Sequence, residues 1–281
     1  MNKYTSHVKY WIKYELLNYS SILFFVIIAI LSLIFIAILD FKDSEFNWHD
    51  ILVEAHGLIF DLFIFGLLIT AFDFVRSRRE KRQRYNEEIQ DLIGWKSEEA
   101  KVKILAKVKR LYDLGQRRFF LSNSYLKSAN LNDYDLTDSV IVLTNLKKSS
   151  FARSNLKNVQ LTASKLNKVY FTSAKLENTD LSNSICNGAF FVDTNFVNTK
   201  FKRADLRKAS FVGCNYENVN LENVKLDDAI VDDLSWFEKL QNSGAIGIDN
   251  LMTKYYVNSK SRKEEDGIAT YFIERIKTST Q

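Results

Sequence analysis

The chain has 281 residues, of which 46% are hydrophobic, 26% charged and 14% aromatic, and it lacks proline; this composition excludes a disordered or collagen-like protein. Its two cysteines, Cys186 and Cys214, are too few for a disulfide framework and fit a reducing compartment. The net charge of +5 is unevenly spread: residues 1–75 carry −4, residues 76–118 carry +7, and residues 119–233 and 234–281 carry +1 each, so the basic excess lies in one short stretch.

Residues 1–75 read as a transmembrane hairpin with helices at about 20–39 and 57–75. From Ser21 to Leu39 the chain has no charged residue. At roughly 1.5 Å per residue that run matches a hydrocarbon core of roughly 30 Å. A cleaved signal peptide fits less well, because the run exceeds the usual apolar region and is followed by Asp40-Phe41-Lys42, not by small residues. The second run, Leu58 to Val75, is interrupted by Asp61, Thr70 and Asp73 and ends on Arg76, Arg78, Arg79, Lys81, Arg82 and Arg84. Under the positive-inside rule this basic flank is cytoplasmic, and Lys3, Lys9 and Lys13 put the amino terminus on the same side. The expected location is a bacterial inner membrane with both termini inside. Glu54 and Asp61, seven residues apart, share a helix face. They read either as a pore lining or helix contact, or as carboxylates reaching water at the outer interface.

Residues 76–118 read as a basic helical linker of two helices joined near Gly94. Val102, Leu105, Val108 and Leu111 recur at intervals of three, Ser97 supplies a start signal and Gly115 a stop. The cluster from Arg76 to Arg84 suits anionic lipid head groups at about 1 kcal/mol each, or serves topology alone. Nucleic acid is not expected there, because the membrane surface competes for the same charges.

From Leu121 to Val231 every fifth residue is apolar or cysteine, including Leu126, Phe151, Leu156, Phe171, Cys186, Phe191, Phe211 and Tyr216. Two places earlier the side chain is nearly always small, as at Ser124, Ala129, Ser154, Thr179, Ala204 and Cys214, with Tyr134 the clear exception. A period of five fits neither an amphipathic helix nor an ordinary strand, so residues 119–233 form a repeat architecture whose inward positions are fixed by a coil.

Ala129-Asn130-Leu131 and Ala204-Asp205-Leu206 match the motif Ala-Asp/Asn-Leu-X-X in full, and Ser154-Asn155-Leu156 and Thr179-Asp180-Leu181 match it with conservative changes. The stretch resembles the pentapeptide-repeat proteins. That resemblance implies a mainly β fold, a right-handed quadrilateral β-helix with one pentapeptide per side and twenty residues per coil, its Leu/Phe and small residues turned inward. The spacing of Phe151, Phe171, Phe191 and Phe211 by twenty agrees with such a coil and predicts an aromatic ladder up one side. Some members mimic DNA with a strongly acidic rod; here 14 basic and 13 acidic residues exclude a duplex-like field.

Residues 234–281 read as a helical cap, with Trp236 and Phe237 over the last coil behind Ser235 as helix start, and a final amphipathic helix carrying Ile268, Tyr271, Phe272 and Ile276. On the side of the Phe ladder, Tyr170, Phe190, Val192 and Val212 form an apolar patch, expected to contact a protein partner or a second copy unless the carboxy-terminal segment folds over it. All three histidines precede residue 60, no glycine-rich phosphate loop carries a lysine, and the cysteines take inward positions. No catalytic, metal or cofactor site and no small-molecule substrate are therefore expected. The carboxylate pairs Asp227-Asp228 and Asp232-Asp233 read as a solvated corner. The expected function is a membrane-anchored scaffold displaying a rigid β-helix; the alternative is an oligomeric pore-forming effector with the β-helix as sensor or assembly platform.

Overall fold

The computed structural model describes residues 48–265 and 268–277, together with Ile27, Ile30, Leu31 and Ile34; side chains are described for those four, Gly57, 60–260 and 268–277. The chain divides into two compact units, residues 1–83 and 84–281.

In the first unit Ile27, Ile30, Leu31 and Ile34 are helical and exposed. The rest of the span expected at 20–39 lies outside the described residues. Helix α1, Trp48–Gln90, starts earlier than the expected second span and runs without a break past residue 75. Among the described residues no helix is long and apolar enough to cross a membrane.

In the second unit, α1 ends with Ile89 buried, and a turn through Gly94 (φ +88°) leads into helix α2, Glu98–Asp113. Ser97 caps α2 by accepting the Ala100 N–H at 3.1 Å. The helix ends in a Schellman arrangement: Gly115 is left-handed, its N–H reaches Tyr112 O, and the Gln116 N–H reaches Leu111 O, both at 2.9 Å. The buried face is Ala100, Ile104, Val108 and Leu111, whereas Val102 is exposed. The expected interval of three is thus corrected to the 3.6-residue helical period, which turns Val102 away from the core.

From Phe120 the backbone forms parallel bridges between residues twenty apart, as in Tyr125–Asn145–Lys165–Ile185–Asp205–Lys225. Four such columns define four faces, built over the inward residues Leu121, Leu126, Leu131 and Leu136 and their successors at intervals of twenty. The coil-to-coil bonds are regular, for instance Leu126 N–H to Asn145 O at 2.8 Å and Asn145 N–H to Ser124 O at 3.0 Å. Every inward Leu, Ile and Phe of the motif from 121 to 231 is buried. The small inward residue has a polar task as well: the hydroxyls of Thr144, Ser149, Ser154, Ser164, Thr179, Ser184, Thr194 and Thr199 donate to the carbonyl 23 residues earlier. Those buried hydroxyls are satisfied inside the core, which removes the penalty for placing serine and threonine there.

Each coil turns its four corners through a residue of positive φ, the second after the inward Leu or Phe, from Asn123 to Asp228. Half of these 22 corner residues are Asn or Asp and two are Gly188 and Gly213, the types that tolerate the left-handed region. Leu143 (φ 58°) stands against that preference and is 59% exposed.

The Phe ladder forms as the spacing predicts. Phe151, Phe171, Phe191 and Phe211 stack with centroids 5.4, 5.2 and 5.3 Å apart, and Trp236 continues the column at 5.7 Å from Phe211. At the amino-terminal end α2 covers the first coil, where Tyr112 packs on Tyr134 at 4.6 Å. Tyr134 takes a position meant for a small residue because its ring extends out of the coil to meet this helix.

At the other end, helix α3, Trp236–Asn242, buries Trp236, Phe237 and Leu240, and the short helix α4, Ile248–Met252, buries Ile248 and Leu251. Ser235 precedes α3 but makes no capping bond; its hydroxyl donates to Asp233 Oδ1 at 2.8 Å. The segment expected as an amphipathic helix is a strand. Strands β1, Asn195–Val197, and β2, Asn215–Glu217, are ordinary coil segments, while β3, Ile230–Val231, pairs antiparallel with β5, Ile268–Arg275, which pairs with β4, Tyr255–Glu265. The run Ile268-Ala269-Thr270-Tyr271-Phe272-Ile273 is rich in β-branched and aromatic residues, and the open edge of the last coil offers it a partner. Other edges of that coil are closed by Ile246, which bonds Leu221 and Val219, and by Ser243, whose carbonyl accepts the Asn218 N–H at 2.9 Å.

Candidate functional site

On the face over Leu131 and the Phe ladder, the outward column runs Asn130, Ser150, Tyr170, Phe190, Ser210, Ile230 and then Phe272 of β5. The coil repeat places Tyr170 and Phe190 directly above one another, with rings 4.8 Å apart and 6° from parallel. They remain 44% and 37% exposed, and Val192 and Val212 beside them are half-buried. The described residues of the carboxy-terminal hairpin do not cover them. It extends the same column beyond Ile230 and leaves an open groove of about 440 Å³ lined by Lys208, Asp228, Ile230, Phe272 and Glu274. Acidic groups stand beside the patch: Asp193 is a corner residue, and Asp232 accepts the Gly213 N–H at 2.7 Å.

The basic residues from 76 to 84 lie along α1. Arg76 pairs with Glu80 at 2.8 Å, Arg78 lies 4.6 Å from the centroid of the Phe74 ring, and Arg79, Lys81 and Arg84 are exposed. Asp61 is exposed on the same helix, whereas the side chain of Glu54 lies outside the described residues, as do those of His7, His49 and His56.

Among the carboxylate pairs at the last coil, read as a solvated corner, Asp227 is instead a fastening, while Asp228 is exposed. Arg275 of β5 forks onto Asp227 at 2.9 and 3.1 Å, and the Tyr255 hydroxyl of β4 donates to Asp227 Oδ2 at 3.1 Å. Desolvation pushes the Asp227 carboxyl up, but Arg275, a backbone N–H and Tyr255 together outweigh it and hold the group below its ordinary value. Asp233 accepts both the hydroxyl and the N–H of Ser235.

The two thiols are core groups. Burial pushes Cys186 far up, and it pushes Cys214 up to about 12, where its Sγ donates to Phe191 O at 2.7 Å. Neither ionises near neutral pH, so neither supplies a thiolate nucleophile. No group of His, Cys, Asp and Glu able to hold a metal occurs among the described residues.

Reading only the two residues that flank each inward position misses the corner residues, which also face outward. On the face over Leu126 they add Lys148, Lys168 and Lys208 to Lys127, Lys147, Lys165, Arg207 and Lys225, against Asp205, Asp227 and Asp228. The near-neutral rod is therefore strongly one-sided in charge. Counting charges at intervals of twenty would have exposed this in the sequence.

The family model of Pentapeptide repeats matches residues 141–178, 174–213 and 204–233 in eight copies. No curated protein matches the chain. Among solved structures it is similar to HetL, a pentapeptide repeat protein involved in heterocyst differentiation regulation from the cyanobacterium Nostoc sp. strain PCC 7120, at 21% identity and TM-score 0.33. That likeness covers 44% of this chain and 58% of HetL, so the chain spans little more than half of HetL's length. It is similar to Rfr23 from the cyanobacterium Cyanothece 51142 at 20% identity and TM-score 0.36, covering 42% of this chain and 93% of that one. A pentapeptide repeat protein of the Arabidopsis thaliana thylakoid lumen gives 20% identity and TM-score 0.21 over 44% and 76%. Taking the unbroken period of five, the twenty-residue coil and the repeat match over residues 141–233 together, the coiled part of this chain is built of pentapeptide repeats.

Proposed function

We propose that this chain is a membrane-anchored protein-interaction module, held by its amino-terminal hairpin in a bacterial inner membrane with the β-helix on the cytoplasmic side. Pentapeptide-repeat proteins are typically interaction modules and mostly non-enzymatic. The observation that carries the reading is the stacked, exposed pair Tyr170 and Phe190, flanked by Val192 and Val212 in the middle of a rod whose ends are both capped. An apolar patch kept open although the chain has a hairpin available to cover it marks a contact surface. The occupant is a protein partner or a second copy of this chain.

Support for the anchor comes from α1. Phe60, Phe63, Phe65, Leu67, Phe72 and Val75 spread over more than half of the helix circumference and are each at least half exposed. An exposed apolar face this broad needs an apolar surrounding, and the basic run that follows is the flank such a segment carries on the cytoplasmic side. The cluster from Arg76 to Arg84 would meet anionic head groups there.

One experiment tests both halves. The complex is extracted from membranes, and its mass is compared for the wild-type chain and a variant with Phe190→Asp and Val192→Asp. Loss of mass with unchanged membrane retention supports the reading. An unchanged complex refutes the patch, and release of the wild-type chain by alkaline carbonate refutes the anchor.

A further inference from the structure

Coil stacking puts residues i and i+20 side by side, about 4.8 Å apart in backbone, so charges in one column feel each other strongly. Across residues 119–233, two charged residues one coil apart are of opposite sign at seven of the nine places where they occur. Arg153 forks onto Asp133 at 2.7 Å, Lys157 reaches Glu177 at 2.6 Å, and Lys202 reaches Glu222 at 2.7 Å. The rule is broken at Lys127 over Lys147 and at Lys148 over Lys168. Both exceptions lie on the face over Leu126, in consecutive coils, and Lys165 stands between them.

All five lysines are exposed, and none pairs with a carboxylate among the described residues. The carboxylate at the head of this face, Glu98 of α2, is engaged by Lys101 and lies 3.3 Å from the Tyr125 hydroxyl. Toward the other end Asp205 is held by Arg207 at 2.7 Å. Lys127 feels the Glu98 carboxylate, but beyond it the fold leaves Lys147, Lys148, Lys165 and Lys168 as a patch of like charge with no carboxylate bonded to it among the described residues.

We infer that the countercharge is supplied from outside, by the anionic head groups of a lipid leaflet against which this flat face docks. The chemistry favours a lipid surface over a shaped partner. The patch holds lysines and no arginine, hence mobile point charges without the planar fork that recognises one carboxylate or phosphate bidentately. A β-helix side is flat, as a leaflet is, and no exposed aromatic ring is interleaved with these lysines to stack on a base. The inference rests on the proposed anchor, which would keep the face at high effective concentration near head groups.

The full chain is reconstituted into vesicles of phosphatidylcholine alone, or with about a third phosphatidylglycerol, and its lysines are labelled by an amine reagent that does not cross the bilayer. In anionic vesicles, Lys127, Lys147, Lys148, Lys165 and Lys168 should react about five-fold more slowly than in neutral ones, while Lys175 and Lys200 on other faces change little. The informative variant is Lys147→Glu with Lys148→Glu, which restores opposite signs in both columns. It should fold with an unchanged or higher melting temperature and lose the protection. Flotation with neutral vesicles reads the anchor separately: if the wild-type chain fails to float there but floats with anionic vesicles in a manner the variant abolishes, the face stands and the anchor falls. Equal labelling in both vesicles, a variant still protected, or protection by added duplex DNA in place of anionic lipid overturns the inference.

Discussion

Replacing Phe191 by alanine should cost about 4–5 kcal/mol of folding stability, because a fully buried aromatic is removed from the middle of a stack that cannot close over the gap. The ring sits 5.2 Å from Phe171 and 5.3 Å from Phe211 in parallel contact, and Phe196 and Phe201 meet its edge at 5.5 and 5.6 Å. Backbone bonds to the coils above and below hold those neighbours in place, so the cavity persists. Phe151 has Phe171 as its ladder neighbour on one side only, and Phe151→Ala should cost about 1 kcal/mol less, the worth of a lost ring pair. The sharpest control is adjacent in sequence: Phe190 points outward, and Phe190→Ala should cost under about 1 kcal/mol. Urea unfolding of the full chain in detergent, followed by circular dichroism and tryptophan fluorescence, measures all three. Equal costs for Phe190→Ala and Phe191→Ala, or less than about 1 kcal/mol for the latter, would refute the inward ladder.

The left-handed corners give a test of opposite sign. Leu143→Asn should stabilise the protein by about 0.5–1 kcal/mol, since asparagine tolerates φ 58° and an exposed leucine has little to lose. Gly213→Ala should destabilise it by about 1 kcal/mol or more, because φ is +71° and a Cβ there would meet Asp193 Oδ1 at 2.2 Å; both are read as shifts in melting temperature. Acid should loosen the carboxy-terminal hairpin first. The folded Asp227 carboxyl is held below its ordinary value, so its contribution is complete above the ordinary carboxylate range and disappears as pH falls through the folded value. Hydrogen exchange of β5 amides should accelerate in that window, and Asp227→Asn should produce the same acceleration at neutral pH.

The sequence made the interior legible and the rest only in part. A side chain that must be apolar every fifth residue writes its own register, and four phenylalanines at intervals of twenty agree with the twenty-residue coil that the family resemblance implies. The corner requirement is less visible, because nine of the 22 corners, Leu143, Lys148 and Arg153 among them, are not Asn, Asp or Gly. Tyr134 looks like a defect until Tyr112 of α2 is found against it. The tail from Ile268 to Ile276 carries apolar residues that suit a helix or a strand, and the decision belongs to the unpaired edge at Ile230, which no local pattern reveals. The patch at Tyr170 and Phe190 was readable, since flanking positions follow from the register. The lysine columns required corner residues to be counted as outward, a consequence of backbone geometry rather than of composition.

The account depends on the coil of twenty, and a distance measures it directly. Asn145 and Lys225 stand in one outward column, linked through Lys165, Ile185 and Asp205. Four coils at about 4.8 Å put their backbones about 19 Å apart, although eighty residues separate them. Nitroxides placed there by Asn145→Cys and Lys225→Cys avoid background, because Cys186 and Cys214 are buried and un-ionised. Pulsed dipolar spectroscopy should give one narrow distribution near 20 Å. A broad distribution, or a mean beyond about 30 Å, would contradict the twenty-residue coil and every face assigned from it.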